Sequence, residues 1–179
     1  MTGKGHRIST FAFVIGATGS PLAAVMSFLG STFPDSSEYT FFGKRRNRYH
    51  RRYTHWFIPW LALAYACFAR SGWIVPRISA LVDGRGAHRD VWACAGFWFM
   101  GCVLHILEDA FCGTVPFLRP WKRDVGLHIF HMSKKIGEMS MGEKNFVLCC
   151  AGISFIAFMI RTFTIDSFLQ FLLKIWRSI

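Results

Sequence analysis

The fold class predicted for this chain is an all-α integral membrane protein with about four transmembrane helices, and three observations predict it. Of its 179 residues, 53% are hydrophobic and 17% aromatic. It nevertheless carries 21 Lys and Arg against 10 Asp and Glu, a net charge of +11. The apolar residues gather in long blocks, and the cations gather between them. A soluble nucleic-acid binder of this charge is not usually so apolar, and a disordered basic tail has far less apolar surface to bury. Apolar helices joined by basic loops satisfy all three facts, because Lys and Arg concentrate on the cytoplasmic side and meet anionic headgroups there. The whole length, 1–179, reads as one membrane-embedded domain.

The first apolar block runs from Ile8 to Gly30 without a charge. Its middle, Gly16-Ala-Thr-Gly-Ser-Pro21, weakens a helix. The block is therefore either one kinked span or two half-length helices folded into a re-entrant hairpin. Irregular backbone at membrane depth is tolerated only where protein or a water-filled cavity covers it. Lys4 and Arg7 precede the block, as in a signal peptide. The run is long for a signal h-region, however, and no A-x-A site follows it, so no cleavage is expected.

The second block starts at Trp56 and continues to about Pro76, interrupted by Arg70. The third, Val91 to Leu107, contains one ionisable residue, His105, and the fourth runs from Phe146 to Ile160. A bilayer core needs about 20 apolar residues in a helix, which the first three approach and the fourth narrowly misses. Phe163 to Trp176 carries Asp166 and Lys174 among many Phe and Leu; it is either a fifth span or a helix lying in the interface.

Charge sets the orientation. Lys44, Arg45, Arg46, Arg48, Arg51 and Arg52 lie between the first two blocks; Arg119, Lys122, Arg123, Lys134, Lys135 and Lys144 lie between the last two. Both connections are placed in the cytoplasm, and the chain is read as a multi-pass protein of the bacterial inner membrane. The string from Lys44 to Arg52 doubles as a patch for anionic lipid. One loop is too small a footprint for nucleic acid, so no nucleic-acid partner is expected.

The six cysteines form no C-x-x-C pair and mostly lie inside apolar runs, so they read as small buried hydrophobes. The histidines carry more. His105 and Asp109 are four apart, so on a helix they share one face, at the end of an apolar span. His50 and His55 flank Arg51-Arg52-Tyr53-Thr54 on the same side by the charge argument, and Asp35 precedes that loop. His6 joins them only if the first block is a hairpin. His and carboxylate together suit zinc, manganese or iron. The bland alternative is a set of hydrogen-bonded interfacial histidines. His128 and His131 read as part of an amphipathic segment, and His88 lies on the opposite side. No Walker A, G-x-S-x-G or H-E-x-x-H motif occurs.

Four pieces together resemble the bacterial inner-membrane metal-dependent hydrolases, the LexA-regulated, membrane-associated group. They are Gly5-His6-Arg7, Phe33-Pro34-Asp35, His50-Arg51-Arg52-Tyr53-Thr54-His55, and the G-x-x-x-H-x-x-x-D stretch from Gly101 to Asp109. Gly113 to Pro120 also looks like the family's loop after that helix, and the match covers roughly residues 3–122. One departure stands out: where the family has P-D-x-D-H, this chain has Pro34-Asp35-Ser36-Ser37-Glu38.

The resemblance implies a hydrolase-like core over 1–122, followed over 123–179 by a cytoplasmic loop, the fourth span and a C-terminal apolar helix. The expected metal ligands are His6, Asp35, His50, His55, His105 and Asp109, at the cytoplasmic face. Glu38 is expected as general base or spare ligand, and Arg51 and Arg52, or Arg7, as stabilisers of developing charge. The expected cofactor is a divalent ion, zinc first and manganese second, activating a water. The expected substrate is a small molecule or a lipid-borne ester or phosphoester, with membrane lipids as partners. Two rivals remain: a non-catalytic membrane protein with a structural His/Asp cluster, and a small transporter or proton relay through His105 and Asp109.

Overall fold

The computed structural model describes residues 1–43, 51–71, 91–123, 125–131 and 138–162. His50, the cations Lys44 to Arg48, His88, Lys134, Lys135 and the stretch 163–176 lie outside the described residues.

The described residues are helical apart from loops and one isolated antiparallel bridge, Val115 to Val125. The first apolar block is broken, and the hairpin alternative is the one observed. Helix α1 runs over Gly3–Thr18 and α2 over Pro21–Gly30. Between them Gly19 takes a left-handed φ of 65°, which glycine adopts without a Cβ clash, and its N–H closes α1 on the Ile15 carbonyl. Ser20 then caps α2, accepting from the Ala23 N–H, and Pro21 takes the first helical position. The two halves pack against each other, so the start of α1 and the end of α2 lie at one end of the molecule.

Helix α3, Phe33–Phe42, follows directly, with Pro34 and Asp35 in its first turn. A 3₁₀ turn at Tyr53–His55 leads into α4, Phe57–Arg70. Helix α5 spans Val91–Cys112 and α6 Met141–Thr162. The third block thus extends beyond Leu107, and this carries His105 and Asp109 onto the last turns of one helix.

Among the described residues two helices, α5 and α6, are long and apolar enough to cross a membrane. Helix α4 has 14 residues, a rise of about 21 Å at 1.5 Å per residue, and falls short of a 30 Å core. Of the expected four spans or so, two have the length among the described residues; the first block is two short helices, and the second is a short one over its described part.

Helix α5 is the centre of the bundle, packed on one side by α4 and on another by α2, while α1 packs on α2 and α6. Small residues set these approaches. A Cβ on Gly101 would collide with the Ser27 backbone of α2, and one on Gly30 with the Trp98 backbone. Ser27 Oγ donates to the Phe97 carbonyl at 2.8 Å across the same contact. In an apolar surround, close backbone approach and interhelical hydrogen bonds are what hold helices together. The apolar core on this side gathers Val14, Ala23, Ala24, Ala64, Phe68 and Phe97.

Candidate metal centre

At the other end of the bundle the buried side chains are ionisable. His6, His55 and His105 are fully buried, and Asp109 is nearly so. The hairpin brings His6 back from the start of α1, and the 3₁₀ turn brings His55. Helix α5 supplies His105 and Asp109, and the first turn of α3 supplies Asp35. Trp60 Nε1 fixes the 3₁₀ turn by donating to the Thr54 carbonyl at 2.8 Å.

Two overlapping groups place potential ligand atoms within 4.8 Å of one another: His6, His105 and Asp109, and Asp35, His55 and His105. His55 Nε2 and His105 Nε2 are 3.2 Å apart. Asp35 Oδ1 is 3.5 Å from His55 Nε2 and 4.0 Å from His105 Nε2. Asp109 Oδ2 is 3.5 Å and 3.8 Å from the same two nitrogens. A tetrahedral ion with ligand bonds of 2.0–2.1 Å has ligand-to-ligand edges of about 3.3 Å. Asp35 Oδ1, His55 Nε2 and His105 Nε2 therefore approach the edges of such a site, and Asp109 Oδ2 lies near the same two nitrogens.

The far sides of the rings fit too. His6 Nδ1 is 2.7 Å from Glu108 Oε2. When Nδ1 donates to that carboxylate, Nε2 carries a lone pair, and it faces Asp109 Oδ1 at 3.2 Å without hydrogen-bond geometry. Glu108 is itself held by Ser9 Oγ at 2.6 Å and Thr10 Oγ1 at 3.2 Å. His55 Nδ1 lies 3.1 Å from Thr54 Oγ1, which suits a tautomer with Nε2 turned to the cluster. Such outer partners orient metal-binding imidazoles. His105 Nδ1 has no hydrogen-bond partner, a departure from that pattern.

Cations also enter. Arg51 Nη2 donates to Asp109 Oδ1 at 2.8 Å, and the Met1 amine donates to the same oxygen at 2.6 Å. Burial works against the Arg51 charge, but Asp109 outweighs it and holds the guanidinium protonated above its ordinary range. Burial likewise pushes the Asp35 carboxyl up, yet contacts with His55 and the charges of His105 and His55 hold it well below the usual carboxylate range. Four carboxylates at the site, Asp35, Glu38, Glu108 and Asp109, stand against two buried cations. A divalent ion would supply the missing positive charge when the imidazoles are neutral.

Arg51 has a left-handed φ of 55°, which costs a non-glycine residue about 1 kcal/mol. That backbone turns its N–H onto Glu38 Oε1 at 3.0 Å. Gly113, at the end of α5, leaves the space the guanidinium fills: a Cβ there would collide with Arg51 Nη1.

The other expected site residues fare differently. Glu38 is fully buried and lies outside the two ligand groups. Arg52 is half-buried; its carbonyl accepts from the His55 N–H at 3.1 Å, and its side chain makes no hydrogen bond or ion pair among the described residues. Arg7 is exposed, with its guanidinium 5.7 Å over the Phe28 ring rather than at the cluster. His50 lies outside the described residues, and His128 and His131 are exposed. Sequence reasoning missed Glu108, although its place three residues after His105 on one helix face was a usable signal. It also missed Thr54 and the buried Cys112, whose Sγ is 3.6 Å from Arg51 Nη2.

Searches of the curated proteins and of the solved structures found no match. The family model for the YdjM inner membrane protein matches residues 1–166. With that coverage, two helices fit to span a bilayer and a buried His/Asp cluster, the chain belongs to the YdjM inner membrane protein family.

Proposed function

We propose that this protein is a membrane-bound, metal-dependent hydrolase with one divalent ion at the cytoplasmic end of its helices. The observation that carries the reading is the spacing of Asp35 Oδ1, His55 Nε2 and His105 Nε2, at 3.2 to 4.0 Å, with Asp109 Oδ2 3.5 and 3.8 Å from the two nitrogens. His105 belongs to both ligand groups, and one Nε2 lone pair serves one ion, so a single ion fits better than two. Zinc suits this donor set, with manganese next. A bound ion would supply Lewis acidity and lower the pKa of a water toward neutrality.

The chain's own residues do the rest. Glu108 and Thr54 orient His6 and His55. Arg51 and the Met1 amine hold one oxygen of Asp109, leaving the other for the ion. Asp35 is the open side of the cluster, its side chain 31% exposed, and a substrate would enter there. Arg51 is a positioning residue through Asp109, and Glu38 positions Arg51 through its backbone N–H; a direct role for Glu38 as base stays part of this proposal. A lipid-borne ester or phosphoester is the substrate class to try first, because the cluster lies at the end of an apolar helix.

The rival is a structural cluster without catalysis. It is favoured by one observation: Asp109 Oδ1 already has two cationic partners. Elemental mass spectrometry on detergent-purified protein separates the two. One zinc or manganese per chain, lost in the His105→Ala, Asp109→Ala double variant, supports the metal site, and hydrolysis of lipid esters or phosphoesters abolished by His105→Ala supports the activity. No metal after reloading would move the reading to the structural cluster.

A further inference from the structure

The loop that follows α5 is apolar where it should be wet. Leu118, Trp121, Leu127 and Ile129 are 69%, 60%, 65% and 65% exposed. Interleaved with them are Arg119, Lys122 and Arg123, all exposed. Asp124 is the single acid between Asp109 and Glu138 in the sequence.

The loop is a built surface. Val115 and Val125 exchange backbone hydrogen bonds at 2.8 and 3.3 Å, and the Lys122 N–H closes a turn on the Arg119 carbonyl. The N–H groups of Leu127 and Ile129 take the carbonyls of Ala110 and Phe111, which the end of α5 would otherwise leave without partners. Phe117 stacks on Phe57 at 5.2 Å, and its carbonyl accepts from Trp56 Nε1 at 3.1 Å, so the loop is tied to the residues after His55.

The exposed apolar face of α6 has a simple occupant. From Asn145 to Ile160 it bears no charge, which suits contact with acyl chains. The loop is different. Its cations exclude the acyl core, and its Trp and Leu side chains are costly in water. A surface that alternates Trp and Leu with Lys and Arg matches the headgroup layer, where aromatic rings settle and cations meet anionic phosphates. We propose that this loop docks into the headgroup layer of an anionic bilayer. The docking does not rest on the hydrolase reading. Because the cluster occupies the last two turns of α5, directly before the loop, docking also sets the mouth at Asp35 at headgroup depth.

The test uses the full chain in bilayers of phosphatidylcholine with and without phosphatidylglycerol. The emission that Trp121→Phe removes is taken as the Trp121 signal. The expected result is loss of that signal in lipids brominated near the glycerol end of the acyl chain, little loss with aqueous iodide, and stronger bromolipid quenching when phosphatidylglycerol is present. Replacing Arg119, Lys122 and Arg123 with Gln should remove that lipid dependence. Quenching by iodide instead would put the loop in water and overturn the proposal. Shielding from both quenchers would mean that protein, such as a second copy of the chain, covers it, and would overturn it equally. Bromolipid quenching unchanged by phosphatidylglycerol would overturn the anionic requirement.

Discussion

Helices α5 and α6 have 22 residues each and pass the same test for a membrane span. Half of the apolar window of α5 is buried inside the protein, against 17% for α6. The difference lies in small and polar residues. Helix α5 offers Gly96 to the Phe68 ring of α4 and Gly101 to the backbone of α2, so two helices close on it. Helix α6 is approached closely by α1, where Gly16 meets Ser154, and turns Leu148, Ile153, Phe155 and Ile156 outward. Hydropathy reports compatibility with a bilayer; it does not report which helix the others pack around. Each helix also buries acid at one end. Helix α5 buries Glu108 and Asp109 among histidines, whereas α6 buries Glu143 against the Thr2 backbone N–H at 2.7 Å.

The contrast breaks most sharply at Asp109. Asp109→Ala leaves the Arg51 guanidinium and the Met1 amine buried without their shared carboxylate, which costs about 3–5 kcal/mol. Thermal unfolding in detergent should show that loss, and the variant should hold no metal. Ser154→Ala on α6 should change the midpoint far less. Next comes packing. Gly101→Leu should destabilise by about 3 kcal/mol, because the Ser27 backbone leaves no room. An equal loss from Gly152→Leu, where a Cβ meets nothing within 4 Å, would erase the distinction between the two helices.

Glu108→Gln sharpens the comparison without removing a ligand. It keeps the shape and weakens the hold on His6 Nδ1, and a metal titration should read an affinity lower by about 10- to 100-fold. Glu143→Gln, at the matching acid of α6, should leave metal affinity unchanged. The smallest effect belongs to the outward face: Ile156→Ala should shift stability by no more than about 0.5 kcal/mol in the same unfolding measurement.

Much of this was legible in the chain. The uncharged run from Ile8 to Gly30, with Gly19, Ser20 and Pro21 in its middle, announced a break, because a left-handed cap and a helix-starting proline are local chemistry. The four-residue step from His105 to Asp109 announced a shared helix face for the same reason. Phe33–Phe42 was not recognised as a helix, since its apolar residues lack a clear period, yet that helix puts Asp35 at the site. Two of the expected spans have the length to cross a bilayer among the described residues; composition counts apolar residues while a bilayer needs unbroken length.

The sequence by itself determined the membrane class, the helical content and the residue types for a metal site, all of which follow from composition and short spacings. Only the tertiary structure decided that His6 joins His105 rather than lying across the membrane, that Glu108 and Thr54 orient the imidazoles, and that Arg51 serves Asp109. Those are contacts between residues roughly 50 to 100 positions apart in several cases, set by which backbones approach closely at Gly30, Gly101 and Gly113. Local propensity carries no information about such approaches; packing does.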